Sequence, residues 1–164
     1  MIKVVYHIAD IHIRLFKRHL EYQTVLNELY EGIVEDMKKR GLGRDEVRVA
    51  IAGDIVHSKN QMTPELVSFV IKMLNDCTNI CKTVIILGNH DFLANNLDRM
   101  DALSPLIESL DNKDILFYKD TGCYEDNNIV WCVFSQITGS DRPKIEDSRE
   151  KYPDKKHIGL YHDP

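Results

Sequence analysis

The chain has 164 residues, 43% hydrophobic and 29% charged, a composition that excludes a disordered protein and suffices for one domain over residues 1–164. Its formal net charge of −5 disfavours a basic DNA-binding domain, although acidic residues that bind metal ions would weaken that objection. No apolar run matches the roughly 20 residues of a membrane span, and the first residues do not have the layout of a signal peptide. We therefore expect an intracellular protein without a membrane partner, with its four cysteines reduced.

The first half of the chain alternates predicted strands with predicted helices. β-Branched and apolar residues predict strands at 2–9, 47–52 and 83–87. Apolar residues at helical spacing predict helices at 19–40 and 97–110, and another from Pro64, capped by Thr63, to about residue 75. This β-α-β-α-β order is typical of an α/β fold with a sheet covered by helices.

The second half is predicted to be mostly short strands. These lie at 115–118, 122–125, 129–135 and 157–161, with a polar stretch at 138–156. His7, inside the first predicted strand, is expected as a core or second-sheet residue, and Trp131, inside an apolar run, is expected in the core.

Residues that commonly bind metal ions follow four of the predicted strands. The clusters are Asp10-Ile11-His12, Gly53-Asp54, Gly88-Asn89-His90-Asp91 and His162-Asp163. Each cluster is weak alone, since Gly-Asp, for example, is a common turn. Ligands of open α/β sheets bind at the carboxyl ends of the strands, so we expect these side chains to converge. This mixture of carboxylate, amide and imidazole ligands suits manganese, iron or zinc in a five- or six-coordinate site, and it is not the ligand set of a closed thiolate zinc site.

Two of the clusters have local features that suit a metal site. In Asp10-x-His12, the alternation of an extended segment leaving a strand would point both side chains towards one ion. The glycines at 53 and 88 would allow sharp turns where the site needs room.

In this order, the four clusters resemble the motifs of the calcineurin-like metallophosphoesterases, and the resemblance extends along the whole chain. It implies an α/β fold in which a β-sandwich is flanked by helices in four layers (α-β-β-α). It also implies two divalent metal ions, for which we expect Mn²⁺, with Fe, Zn²⁺ and Mg²⁺ as alternatives. The implied ligands are Asp10 and His12 for the first ion, Asp54 as the bridge, and Asn89 and His162 for the second.

The same resemblance assigns catalytic roles to two neighbouring residues. His90 corresponds to a histidine of the family that lies beside the scissile phosphate, where it contacts the phosphate or protonates the leaving oxygen. Asp91 would be the hydrogen-bond partner of His90. The implied reaction is metal-assisted phosphodiester hydrolysis without a covalent enzyme intermediate.

His57 favours a nuclease within this family. Protein serine/threonine phosphatases typically have Asp-Arg-Gly shortly after the bridging aspartate and glutamate at the position of Asp91, whereas this chain has His57-Ser58-Lys59. It is similar in this respect to the Mre-type and SbcD-type DNA repair nucleases and their phage and viral relatives, in which a histidine three residues after that aspartate helps to place the DNA. The resemblance implies a DNA exonuclease or endonuclease, an SMC-type ATPase subunit as a partner, and a homodimer.

The residues after the first metal motif are basic. Arg14, Lys17 and Arg18 could contact the DNA backbone, but a solvated loop is an equally good interpretation.

The chain departs from the family pattern in two places. Members end their site with Gly-His-x-His, which adds a ligand to each metal, and this motif is absent here. We therefore expect a C-terminally incomplete domain with low metal occupancy and little activity by itself. Asp163 also stands where many members have glycine.

Two alternative functions remain open. A phosphatase or cyclic-nucleotide phosphodiesterase of the same fold would share the metal ligands. A comparison of activity on DNA and on mononucleotide substrates would distinguish such an enzyme from a nuclease. A non-catalytic scaffold of this fold is the other alternative, and metal content would test it.

Overall fold

The computed structural model describes residues 1–15, 18–93, 96, 98–138 and 141–163. The strands are β1 (Val4–Ile8), β2 (Val47–Ala52), β3 (Thr83–Ile86), β4 (Ile115–Phe117), β5 (Gly122–Asp126), β6 (Ile129–Phe134) and β7 (Lys156–Tyr161). The helices are α1 (His19–Arg40), α2 (Pro64–Ile80), α3 (Ser104–Leu110) and α4 (Ile145–Lys151), and a 3₁₀ turn at Arg44–Glu46 precedes β2.

The strands form two sheets. The first has the order β1-β2-β3-β4 and is parallel throughout, with Ile51 of β2 opposite Ile8 and Ile85 of its neighbours. The second has the order β5-β6-β7, in which β5 and β6 form an antiparallel hairpin and β7 lies parallel to β6. Because the first sheet is parallel, the carboxyl ends of β1, β2 and β3 lie along one rim.

The first sheet is buried on both faces. One face packs against α1, α2 and α3, where Ile51 and Leu74 are among the fully buried side chains. The other face packs against the second sheet, with Trp131 fully buried at the contact. On the outer side of the second sheet, Ser148 of α4 hydrogen-bonds to His157 of β7 at 3.1 Å. The predicted α/β sandwich in four layers is confirmed.

A buried ion pair also connects the two sheets. Arg48 of β2 donates from Nε and Nη2 to the two carboxylate oxygens of Asp126, each at 2.8 Å, and Trp131 Nε1 donates to the same carboxylate at 3.2 Å. Burial opposes the charged form of Asp126, but the hydrogen bonds from Arg48 and Trp131 outweigh it, so the pKa of Asp126 is lowered.

The structure corrects several predicted elements. Helix α2 continues to Ile80 because its apolar face, which includes Met73 and Cys77, extends past residue 75. Helix α3 begins at Ser104, not at residue 97, because the Asp101 carboxylate accepts hydrogen bonds from the first amides of this helix, including Ser104 N at 2.7 Å. Among the described residues, no helix is long and apolar enough to cross a membrane.

Two further corrections concern α4 and His7. Helix α4 lies inside the polar stretch at 138–156, where charged residues gave no apolar periodicity. His7 is exposed, because β1 is an edge strand of the first sheet.

Candidate metal centre

The loops that follow β1 and β2 are held together by backbone hydrogen bonds. The amide of Asp10 donates to Gly53 O at 3.3 Å, and the amide of His12 donates to Asp54 O at 2.9 Å. Ile13 continues this pairing, because its backbone forms a parallel β-bridge with Val56. The pairing of β1 with β2 therefore extends beyond the strands and brings Asp10 and His12 beside Asp54.

Three of the predicted ligands have left-handed backbone conformations. The φ angles are 56° at Asp10, 48° at His12 and 53° at Asp54. Each such conformation costs a non-glycine residue on the order of 1–3 kcal/mol, and such strain is concentrated at functional sites. The predicted reason for the Asp-x-His geometry was wrong, since this segment is not extended. The left-handed turns, rather than strand alternation, place His12 Nε2 3.7 Å from Asp10 Oδ1.

Asp54 lies at the centre of the cluster and is 2% exposed. Its Oδ1 accepts a hydrogen bond from the backbone amide of His90 at 2.8 Å. Its Oδ2 lies 3.4 Å from Nε2 of His12 and 3.3 Å from Nε2 of His162. One carboxylate oxygen therefore lies within 3.4 Å of two imidazole nitrogens from different loops.

His162 is oriented by a hydrogen bond to the backbone of β2. Its Nδ1 lies 2.8 Å from Ala52 O, and only a protonated Nδ1 can donate to that carbonyl. In the neutral ring, Nε2 then carries a lone pair, which faces Asn89 Oδ1 at 3.2 Å as well as Asp54 Oδ2. Three acceptors that face one another repel unless a cation lies among them, so this donor set fits a divalent ion.

Two glycines allow the loops after β2 and β3 to touch. A Cβ atom at Gly88 would lie 2.2 Å from Asp54 Oδ1 and 2.3 Å from Asp54 N. Gly53 has a φ of 85°, and a Cβ atom there would lie 2.7 Å from both Gly88 Cα and His162 Nδ1. Both positions require glycine because the carboxylate and the imidazole of the cluster occupy the space of a side chain.

Three histidines form a second group next to the carboxylates. The ring centroids of His12 and His90 are 4.7 Å apart, and the rings of His57 and His90 stack at 5.4 Å. Their ligand nitrogens lie within 4.8 Å of one another. The buried Nδ1 atoms of His12 and His57 have no hydrogen-bond partner among the described residues, which is typical of side chains that bind a ligand. Burial, with smaller contributions from Arg14, His12 and His90, lowers the pKa of His57, which favours its neutral form.

His90 has a different partner from the one that the resemblance implied. Its Nδ1 donates to the backbone carbonyl of His57 at 2.6 Å, which leaves Nε2 available. The fully buried carboxylate of Asp91 instead accepts hydrogen bonds from Gly88 N at 2.9 Å and Val56 N at 3.1 Å. Burial raises the pKa of Asp91 to about 7. The expected pairing of Asp91 with His90 is therefore wrong, and Asp91 instead connects the loops after β2 and β3.

The three basic residues predicted to contact the DNA backbone do not share one environment in the structure. Arg14 is exposed, and its charge contributes to the lowered pKa of His57. Arg18 donates to Glu21 Oε2 from Nε at 2.6 Å. Lys17 lies outside the described residues. Asp163 is exposed and accepts a hydrogen bond from the Tyr161 hydroxyl at 3.2 Å.

Two contacts near the cluster involve residues that the sequence had not singled out. Gln136 Nε2 donates to the backbone carbonyl of His162 at 2.5 Å. The amide of Lys59 donates to the carbonyl of His90 at 3.2 Å. Gln136 belongs to no motif, and Lys59 was noted only as part of His57-Ser58-Lys59, so no local pattern indicated either contact.

Comparison with known proteins identifies the family of this chain. The model of the calcineurin-like phosphoesterase family matches residues 3–163, and the chain therefore belongs to that family. Uncharacterized protein R555 of Acanthamoeba polyphaga mimivirus is 36% identical over 169 residues, which cover 99% of this chain and 12% of that protein. The chain thus spans a small part of this curated relative.

Among solved structures, the crystal structure of Pseudomonas putida nuclease MPE is similar. It has a TM-score of 0.48 and 20% sequence identity, and the match covers 85% of this chain and 58% of that chain.

Proposed function

We propose that this domain hydrolyses phosphodiester bonds of DNA with two divalent metal ions, and that manganese is the preferred ion. The position of Asp54 Oδ2 carries the proposal, because this oxygen lies 3.4 Å from His12 Nε2 and 3.3 Å from His162 Nε2. A buried carboxylate oxygen that is close to one imidazole nitrogen of each ligand group would suit a ligand shared by two ions. Hydrolysis by paired ions is one of the main strategies for cleaving phosphodiesters.

The donor set divides into two groups that share Asp54. Asp10 and His12 would hold one ion, and Asn89 and His162 would hold the other. When bound, such ions polarise a phosphoryl oxygen and lower the pKa of water, which supplies a nucleophile at neutral pH. The mixture of carboxylate, amide and imidazole atoms is consistent with manganese, iron or zinc.

His90 is suited to assist the leaving group. Its hydrogen bond from Nδ1 to His57 O fixes the orientation of the ring. Nε2 is then available to hold a proton and transfer it to the leaving oxygen of the phosphodiester. Positioned general acids contribute about 10²–10⁴-fold to such reactions.

The position of His57 favours DNA as the substrate rather than a small phosphodiester. It lies three residues after Asp54, as in the Mre-type and SbcD-type nucleases that the chain resembles, and it stacks on His90. A neutral His57 is suited to contact a nucleic acid strand beside the reacting phosphate. The SMC-type ATPase partner, the homodimer and a role in repair are further proposals that rest on this resemblance alone.

A substrate comparison tests the proposed function. A protein that contains this domain together with a Gly-His-x-His motif, because we expect little activity from the 164-residue chain by itself, would be purified with Mn²⁺. It would be assayed on single-stranded and double-stranded oligonucleotides, bis-p-nitrophenyl phosphate and a cyclic mononucleotide. We expect manganese-dependent cleavage of oligonucleotides and of bis-p-nitrophenyl phosphate, both lost in Asp54→Asn. Hydrolysis of the cyclic mononucleotide without cleavage of oligonucleotides would favour the small-substrate alternative. Absence of bound metal and of all hydrolysis would favour a non-catalytic scaffold.

A further inference from the structure

A groove adjoins the candidate metal centre on the side of His57 and His90. We call it the flanking groove, and it lies between residues 59–62 and residues 99–102, with the first turns of α2 and α3 as its floor. Its volume is about 450 Å³, within the range of about 300–1,000 Å³ that is usual for ligand sites. Because the Lys59 amide donates to His90 O, one wall of the groove is attached directly to the site.

The flanking groove carries excess positive charge. Lys59 and Arg99 both line it, and within the described part of the chain neither forms an ion pair. The carboxylate of Asp101, which also lines the groove, forms an ion pair with Lys119 at 2.8 Å, so it is already neutralised. The Lys59 ammonium donates to Met100 O across the groove, which holds it at this position. In a protein with a formal net charge of −5, two cations without acidic partners beside a phosphodiester site indicate an anion-binding surface.

The remainder of the groove is largely apolar. Met62, Val67 and Leu106 line it, and Asn60 contributes an exposed side-chain amide. Met100, which is 63% exposed, also lines it. An apolar wall next to an amide and two cations matches the parts of a nucleotide, namely a base with a flat apolar face, a polar edge and a charged phosphate.

We propose that the flanking groove binds the nucleotide next to the scissile phosphate of a single-stranded DNA substrate. Its base would pack against Met62 and Leu106, and its phosphate would bind Lys59 and Arg99. This inference rests on the proposed function, because it assumes that the metal centre acts on a polynucleotide. It adds a binding surface that lies on a different loop from Arg14.

The phosphate contacts can be tested by binding without hydrolysis. Anisotropy of a fluorescent oligothymidylate would be measured in EDTA over a range of salt concentrations. The double variant Lys59→Gln/Arg99→Gln should weaken binding at least tenfold. It should also reduce the slope of log K against log salt by about 0.7 for each lost phosphate contact. Arg149→Gln, which removes an exposed cation from α4, is the control and should leave the salt slope unchanged.

The base contact requires a separate comparison. The wild-type protein should bind oligothymidylate more tightly than an abasic strand of equal length. Met62→Ala should reduce this preference while binding of the abasic strand stays the same. For the phosphate contacts, the single variant Arg99→Gln is a useful second test. Arg99 is exposed, so its loss should not affect folding.

The outcomes separate this inference from the proposed function. If the double variant binds DNA with the wild-type affinity and salt slope, while the wild-type protein cleaves oligonucleotides, the flanking groove is not the DNA site and the proposed function stands. If the wild-type protein binds no oligonucleotide and hydrolyses only small phosphodiesters, both proposals fail.

Discussion

Nε2 of His162 lies 3.3 Å from Oδ2 of Asp54, although the first follows a strand of the second sheet and the second follows a strand of the first sheet. The hydrogen bond from His162 Nδ1 to Ala52 O, at 2.8 Å, fixes this relationship. The candidate metal centre therefore forms only when the two sheets are packed together. Changes that loosen the contact between the sheets should weaken metal binding.

The role of His90 predicts that its loss affects turnover and not metal content. Asparagine at this position can still donate a hydrogen bond to His57 O, but it has no equivalent of Nε2. We expect His90→Asn to lower kcat about 10²–10⁴-fold on bis-p-nitrophenyl phosphate, with bound manganese unchanged by mass spectrometry. His7→Asn, at an exposed histidine of β1, is the control. Loss of metal in His90→Asn would instead identify His90 as a ligand.

Substitution of His57 should affect the cleavage of DNA more than the hydrolysis of small substrates. It lies beside His90 but outside the group of carboxylates around Asp54. We expect His57→Ser to reduce kcat/KM more for oligonucleotide cleavage than for bis-p-nitrophenyl phosphate, measured in the same preparation. An equal loss on both substrates would remove His57 from DNA placement and favour the small-substrate alternative.

Gly88 should not tolerate even the smallest side chain. A Cβ atom there would lie 2.2 Å from Asp54 Oδ1, so Gly88→Ala must displace the carboxylate or the loop after β2. We expect a loss of about 1–3 kcal/mol in the free energy of unfolding, the usual cost of overpacking, together with weaker manganese binding. Gly159→Ala is the matched control, because a Cβ atom at Gly159 would have no neighbour within 4 Å. Normal manganese affinity in Gly88→Ala would contradict the close contact of the two loops.

The ion pair between Arg48 and Asp126 should make stability depend on pH. Because the pKa of Asp126 is lowered in the folded protein, its contribution is fully present above the pKa of the unfolded chain, about 3.9. That contribution is lost as the pH falls from there towards the folded pKa. Asp126→Asn leaves Arg48 without its partner and should cost about 3–5 kcal/mol at neutral pH.

Denaturant unfolding as a function of pH measures this contribution. The difference between the wild-type protein and Asp126→Asn should shrink as the pH is lowered below about 4. The control is Asp154→Asn, which changes an exposed carboxylate. A difference that stays constant down to pH 2 would show that the charge of Asp126 does not contribute to stability.

The sequence predicted the succession of strands along the chain and the candidate ligands that follow them, because both depend on local patterns. The apolar run of β3, followed by Gly88-Asn89-His90-Asp91, is an example in which a short segment contains both signals. The position of His162 after a predicted strand indicated that it would converge with the other clusters, and the resemblance then assigned it to the second ion.

Other features depend on contacts between distant segments and were not predictable. The left-handed conformation of His12 results from the pairing of its loop with the loop after β2. The contacts of Asp91 depend on the position of the Val56 amide in another loop. Helix α4 has too few apolar residues for a periodic signal, and the flanking groove is formed by loops that lie far apart in the sequence.

The bridging position of Asp54 is the central claim, and titration with manganese tests it most directly. Calorimetry should detect two binding steps in the wild-type protein, whatever their absolute affinities. Asp10→Asn should weaken one step and His162→Asn the other, because these residues belong to the two different ligand groups that share Asp54. Asp54→Asn should weaken both steps, and Asp154→Asn should change neither. If Asp54→Asn weakened one step and left the other at its wild-type affinity, Asp54 would be a ligand of a single ion and the proposed shared site would be wrong.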